Sequence, residues 1–175
     1  MNPRLPILST ARLHLLRLAA DDLDAVAAIH GDPETNRYNP DGAASFETCA
    51  RWLARWTGDW EREGFGYLGV VTREAPDHVI GVAGLKVASI AMPHDTSFDA
   101  LNLYYRFRPT AWGQGYAAEA AEAALAHARP LRPDLPVCAL IRADNAPSRR
   151  LAARLGLRES GEVDAAGRRV HLLAH

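Results

Sequence analysis

The stretch Pro109-Thr110-Ala111-Trp112-Gly113-Gln114-Gly115-Tyr116-Ala117-Ala118-Glu119-Ala120 constrains the fold more than any other. Before it, Leu101–Phe107 reads as a strand. After it, Ala117–Arg129 reads as an alanine-rich helix. A strand, two glycines and a helix in succession place the first turn of a helix beside a sheet. The amides of that turn lack intrahelical partners and sit at the positive end of the helix dipole. Glycines let a ligand approach such amides closely. The expected result is a cradle for a phosphate or pyrophosphate. Glu119 falls in the first turn, where a carboxylate supports the helix rather than chemistry.

The remaining segments continue the same alternation. Arg12–Leu15, Phe65–Thr72, Val79–Val87 and Val137–Ile141 read as strands. Leu23–His30, with Asp21 or Asp22 as N-cap, reads as a helix ended by Gly31. Ser45 caps a longer helix from Phe46 to Glu63, whose Trp52, Trp56 and Trp60 share one face and read as core or as the wall of an acceptor cleft. Ala91–Asp99 reads as a polar loop, Ala146–Leu155 as a helix with Gly156 at its end, and Glu159–His175 as a hairpin. The order β-α-α-β-β-β-α-β-α-β-β predicts an α/β (α+β) domain, a mixed sheet with helices on its faces, spanning residues 1–175.

Composition removes several function classes. No window of 18 residues is free of charge, which argues against a membrane span. Met1-Asn2-Pro3-Arg4 leads into no apolar core of the secretory kind. Two cysteines, Cys49 and Cys138, are too few for a disulfide scaffold or a cysteine metal cluster; no metal site and a reducing, cytoplasmic compartment are expected. A formal charge of −1 lacks the basic excess of a nucleic-acid binder. Lys86 is the only lysine, the other 19 basic residues being arginine, whose planar fork suits phosphate; coding bias is the alternative reading. The near-neutral total hides two halves. Residues 1–100 carry 9 basic and 14 acidic groups, and residues 101–175 carry 11 and 7, or −5 against +4. A basic C-terminal half suits an anionic phosphate and an acidic N-terminal half a cationic amine.

Gly113-Gln114-Gly115-Tyr116-Ala117-Ala118 also fits the dinucleotide pattern GxGxxA, with Asp134 about 20 residues on. Residues 108–112 separate the strand from Gly113, Asp134 lies among prolines, and too little chain follows for a doubly wound domain. That reading is set aside.

Pro109–Ala120 instead resembles the acetyl-CoA loop of the GNAT N-acetyltransferases, above all the RimL- and RimJ-like branch, which reads close to P-x-x-W-G-x-G-Y-A-x-E-A. Trp112 stands where the wider family has Arg or Gln. Leu8–Arg17 resembles the branch's opening strand and Val79–Gly84 its central hairpin. Asn145-Ala146-Pro147-Ser148 through Leu155-Gly156-Leu157 resembles its last motif. The resemblance implies a mostly antiparallel sheet with a splayed central strand pair, here Leu101–Phe107 and Val137–Ile141, flanked by helices. It implies acetyl-CoA as co-substrate and an amine as acceptor. The pantetheine arm would run along the strand near Tyr105 and Phe107. The pyrophosphate would take amides of Gln114, Gly115, Tyr116, Ala117 and Ala118, with Trp112, Gly113, Asn145 and Arg150 completing the cofactor set. A backbone amide at Tyr104 or Tyr105 would hold the oxyanion.

Many relatives place a tyrosine acid where this chain has Ala152, which cannot donate. In the RimL-like branch a serine serves, and Ser148 is its counterpart; as a plain helix serine it would cap its own turn. Asn102 stands where relatives carry a glutamate base, so deprotonation would pass through water or through Glu47, His94 or His171. The empty positions 102 and 152 keep open a second reading, an acyl-CoA-binding sensor or degenerate enzyme. Acceptor specificity is expected in Glu34–Trp60 and Ala91–Asp99. The oligomeric state is open, a homodimer included.

Overall fold

The structure, a computed structural model, describes residues 4–173. Met1-Asn2-Pro3, weighed above as a possible leader, and the last two residues of the terminal hairpin lie outside the described residues. In chain order the elements are β1 (Leu8–Ser9), β2 (Leu13–Arg17), α1 (Leu23–His30), α2 (Phe46–Glu63), β3 (Tyr67–Thr72) and β4 (Val79–Ala91). There follow β5 (Ser97–Phe107), α3 (Tyr116–Ala128), β6 (Val137–Ile141), α4 (Ala146–Arg154), β7 (Leu157–Val163) and β8 (Arg169–Leu173). They form one eight-stranded sheet of order β1-β2-β3-β4-β5-β6-β8-β7. Its only parallel neighbours are β5 and β6, joined by the crossover through α3.

Period-two alternation decides which helix each strand side meets. Leu101, Leu103 and Phe107 of β5 join the larger core cluster with Ala120, Ala121 and Ala124 of α3. Tyr104 lies on the opposite side, with Val26 and Ile29 of α1 and Trp56 of α2. The alanines let α3 lie close against β4 and β5. Ser45 accepts from the Thr48 amide and starts α2 as expected. Gly64, in the left-handed region at φ 74, ends it. Trp56 and Trp60 are buried, and Trp52 is half-buried.

Two local expectations are corrected. Ala91–Asp99 is not a loop: β4 runs to Ala91, β5 starts at Ser97, and a short turn joins them. Cross-strand pairing from Gly81↔Phe107 to Ala91↔Ser97 overrides the polar composition. Asp22 precedes α1 but its side chain does not cap it. The carboxylate accepts from the Ala19 amide at 2.8 Å and from Arg4 at 2.5 and 2.8 Å, tying the chain entry instead. Among the described residues no helix is long and apolar enough to cross a membrane.

Candidate active site

β5 and β6 pair over only two positions, Leu101↔Val137 and Asn102↔Cys138. Beyond Asn102 the strands part, and the far half of β5, still paired with β4, runs on without β6 toward the glycine loop. A splayed edge leaves backbone N–H and C=O groups facing an open wedge. Tyr105 lies in this half, and its hydroxyl donates to the Ser148 carbonyl at 3.3 Å, linking β5 to α4. Burial pushes the Tyr105 phenol up, which keeps it protonated as a donor. Phe107 is in the core and its ring covers Gly81, so only its backbone faces outward chemistry.

The loop after β5 is built as the glycines suggested. Pro109–Ala111 forms a 3-10 turn, Gly113 and Gly115 take φ 75 and 79, and α3 begins at Tyr116. Among the described residues the amides of Gln114, Gly115, Tyr116, Ala117 and Ala118 have no protein acceptor; the Glu119 amide is the first to find one, Gly115 O. Trp112 donates its Nε1–H to the Phe107 carbonyl at 2.9 Å and is capped by the Arg37 guanidinium. Gln114 donates its side-chain amide back to Thr110 O.

The loop is also held from behind, by contacts between residues far apart in the sequence. Glu119 accepts from the Thr10 hydroxyl at 2.6 Å, the Arg12 amide at 2.9 Å and Arg12 Nε at 2.7 Å. Arg12 donates to Gln114 O at 2.8 Å and lies over the Tyr116 ring. Burial alone would raise the Glu119 pKa, but Thr10 and Arg12 together bring it below the ordinary carboxylate range. Glu119 is therefore an anchor of the loop, beyond dipole support.

At α4, Asn145 is the cap: its Oδ1 accepts from the Ser148 amide at 3.2 Å. Ser148 does not cap its own turn, and among the described residues its hydroxyl has no protein partner. Ala152 is 1% exposed, inside the core. Of the arginines flanking the motifs, Arg149 and Arg154 pair with Glu159 and Glu122, Arg108 donates to Val79 O, and Arg106 reaches Asn36. Arg150 is exposed and forms no ion pair among the described residues. None of the three base candidates lies on β5 or β6. Glu47 is exposed and paired with Arg51, and His94 sits in the β4–β5 turn. His171 is buried in β8, bonded to Arg169 O and 3.9 Å from Glu159.

The other side of the wedge carries an aromatic cluster that sequence reasoning missed except for its tryptophans and Tyr104. His30, Trp52, Trp56, Tyr67 and Tyr104 pack ring to ring at 5.1–6.3 Å. His30 donates Nδ1–H to Val26 O, which fixes Nε2 as acceptor for the Tyr104 hydroxyl at 2.9 Å. Asn102 donates to the Tyr67 hydroxyl at 2.9 Å. Burial pushes the His30 pKa down to about 4. The folded protein therefore binds this proton later than the unfolded chain as pH falls. Its contribution is whole above pH 6.5 and is lost toward pH 4, about 3 kcal/mol at ~1.4 kcal/mol per pH unit. Urea unfolding at a series of pH values is expected to show this loss between pH 6.5 and 5, above most carboxylates, and His30→Gln is expected to flatten it.

Residues 12–158 match the family model described as an acetyltransferase (GNAT) domain. A GnaT-family acetyltransferase structure from Bordetella pertussis is 25% identical, with 94% of this chain and 96% of that chain covered and a TM-score of 0.75. RimL, a ribosomal L7/L12 alpha-N-protein acetyltransferase, is similar in two forms. The apo form is 18% identical, covers 97% of this chain and 92% of that one, and has a TM-score of 0.72. The form in complex with coenzyme A is 17% identical, covers 95% and 94%, and has a TM-score of 0.63.

Proposed function

The chain belongs to the GNAT acetyltransferase family, and from that premise we propose that it moves the acetyl group of acetyl-CoA to a primary amine by direct attack. A single domain of residues 1–175, working in the cytoplasm, carries the reaction. The observation behind this reading is the wedge beyond Asn102↔Cys138, which runs to five amides without protein acceptors among the described residues. Unpaired amides at a helix N-terminus fit a pyrophosphate, and an open strand edge fits an extended amide-bearing arm. A cofactor of that shape suits both. RimL has been captured with coenzyme A.

Bound acetyl-CoA would supply an acyl thioester, activated toward amines. The chain's own groups do the rest. Gln114, Gly115, Tyr116, Ala117 and Ala118 offer amides to the pyrophosphate, with Trp112 and Gly113 shaping the loop and Arg150 free to add charge. The edge of β5 at Tyr105 and Phe107 orients the arm, and Asn145 lies beside its path. A backbone amide at Tyr104 or Tyr105 holds negative charge on the acyl oxygen. Ser148 Oγ gives its proton to the departing sulfur and regains one from solvent. Its lack of any protein partner supports that role. The acceptor is a protein N-terminus, an amino acid, a polyamine or another small amine.

A thiol-release screen over an amine library tests the reading, with calorimetry of acetyl-CoA binding beside it; no binding at millimolar cofactor would sink it. Ser148→Ala is expected to lower kcat about 100-fold, the low end for a general acid, with cofactor affinity nearly unchanged. An unchanged kcat removes Ser148 from the mechanism. The buried Ala152 and the amide at Asn102 favour a second reading, a protein that binds acyl-CoA without turnover. Tight acetyl-CoA binding with no thiol release from any amine would select it.

A further inference from the structure

Lys86, the only lysine of the chain, stands on β4 opposite Asn102 of β5. That is the level at which β5 and β6 part. Its Nζ lies 5.7 Å from the centre of the Tyr67 ring and 4.0 Å from Asp59 Oδ2 on α2. The Tyr67 hydroxyl is the one that accepts from Asn102. Asp59 is 8% exposed. One of its oxygens takes Arg62, but Oδ2 is buried without a hydrogen-bond partner among the described residues. Such an oxygen is costly unless something completes it. At 4.0 Å Lys86 Nζ stands beside it without closing a hydrogen bond.

Acyl transfer to an amine needs a group that takes the ammonium proton. Most titratable groups on this side of the sheet are disqualified. Both nitrogens of His30 are engaged. Burial raises Tyr67 and Tyr104, and pushes Cys138 up to about 12, so all three stay protonated. Asn102 has no basic site. The Asp59–Lys86 pair is left.

We propose that neutral Lys86 Nζ takes the proton of the acceptor's ammonium, and that Asp59 Oδ2 stabilises the lysine ammonium so formed; this rests on the acetyl transfer proposed above. The step balances. The acceptor ammonium and the Lys86 amine become the acceptor amine and the Lys86 ammonium. The acceptor's lone pair then forms the C–N bond as the C–S bond breaks. The second nitrogen proton passes to solvent, the thiolate is protonated from Ser148, and Lys86 returns its proton to solvent along the exposed Arg62 side. The groups facing Lys86 are Asp59, Arg55 and Arg62 of α2, Tyr67 of β3 and Asn102 of β5. Burial lowers the Lys86 pKa, Asp59 opposes this, and Arg55 and Arg62 add to the lowering. The neutral amine is thus reached at lower pH than in a free lysine.

The test is the pH profile of kcat for thiol release with an acceptor from the amine screen. Lys86→Met is expected to lower kcat about 100-fold, with acetyl-CoA affinity within about twofold by calorimetry, and imidazole is expected to restore part of the loss. Lys86→Arg keeps length and charge but cannot become neutral at working pH, and is expected to be as slow. Asp59→Asn is expected to move the acidic limb of the profile, where Lys86 becomes neutral, to lower pH, because the lysine ammonium loses its anion. If Lys86→Met fails to fold, the arginine variant decides. A Lys86→Arg enzyme with wild-type kcat overturns the inference and leaves the acetyl transfer standing. Wild-type protein that binds acetyl-CoA yet releases no thiol overturns both.

Discussion

Replacing Gly84 with alanine is expected to destabilise the protein by about 4 kcal/mol and to lower its Tm by about 10 °C. Gly84 has φ 154, a conformation that side-chain-bearing residues rarely adopt. It is paired with Tyr67 on one side and Tyr104 on the other. A Cβ there would lie 2.5 Å from the Gly66 carbonyl oxygen and 2.9 Å from the Tyr67 Cα. Both are backbone atoms, at the start of β3 and just before it, so no side chain can swing away. The strain at φ and the overpacking each cost about 1–3 kcal/mol, which gives the sum. Thermal unfolding of the purified variant is the check, and a Tm within a degree or two of wild type would refute this packing around Gly84. Because Tyr67 and Tyr104 flank the site, a folded remnant should also lose activity.

Gly115→Val is expected to weaken acetyl-CoA binding about 1000-fold, or ~4 kcal/mol, while leaving the fold intact. Gly115 caps α3 at φ 79, where a β-branched residue costs about 1–3 kcal/mol. The loop relieves that strain by rotating its peptides. The amides of Gln114, Gly115 and Tyr116 then turn from a shared focus, and each charge-assisted hydrogen bond lost is worth about 1.5–3 kcal/mol. The new side chain also faces Arg12, whose Nη2 would lie 3.4 Å from the added Cβ. Gly115→Asn tolerates the left-handed region and should lose far less. Calorimetric titration of the three proteins measures the ratio. Equal affinity for the valine variant would detach these amides from the cofactor.

The two glycines differ in how they could be read. Gly115 stands at a change of period, between a strand and a helix, so its demand is local and visible in one dimension. Gly84 sits inside an apolar run, Val79–Val87, where nothing nearby marks it. Its demand comes from Gly66 and Tyr67, which reach it only through strand pairing. The same division runs through the site. The unpaired amides of Gln114–Ala118 are a local consequence of turn and helix chemistry, and they stand where the glycine loop placed them. Glu119 looked like a helix-dipole residue because Thr10 and Arg12, its partners, are more than 100 positions away. His30, Tyr67 and Asp59 gave no signal for the same reason. A histidine at the end of α1, a tyrosine at the start of β3 and an aspartate on α2 become neighbours only when β3, β4 and β5 pair.

The sequence by itself determined the order of the helices and of the strands after β1, the glycine-capped N-terminus of α3, and the family to which that loop belongs. These rest on periodicity, glycine conformation and capping, which act over a few residues. Only the tertiary structure decided where β5 and β6 separate, which way the far half of β5 faces, and which polar groups on the α1–α2 side keep a free valence. Those depend on register and burial, and a pKa such as that of His30 has no value until the rings around it exclude water.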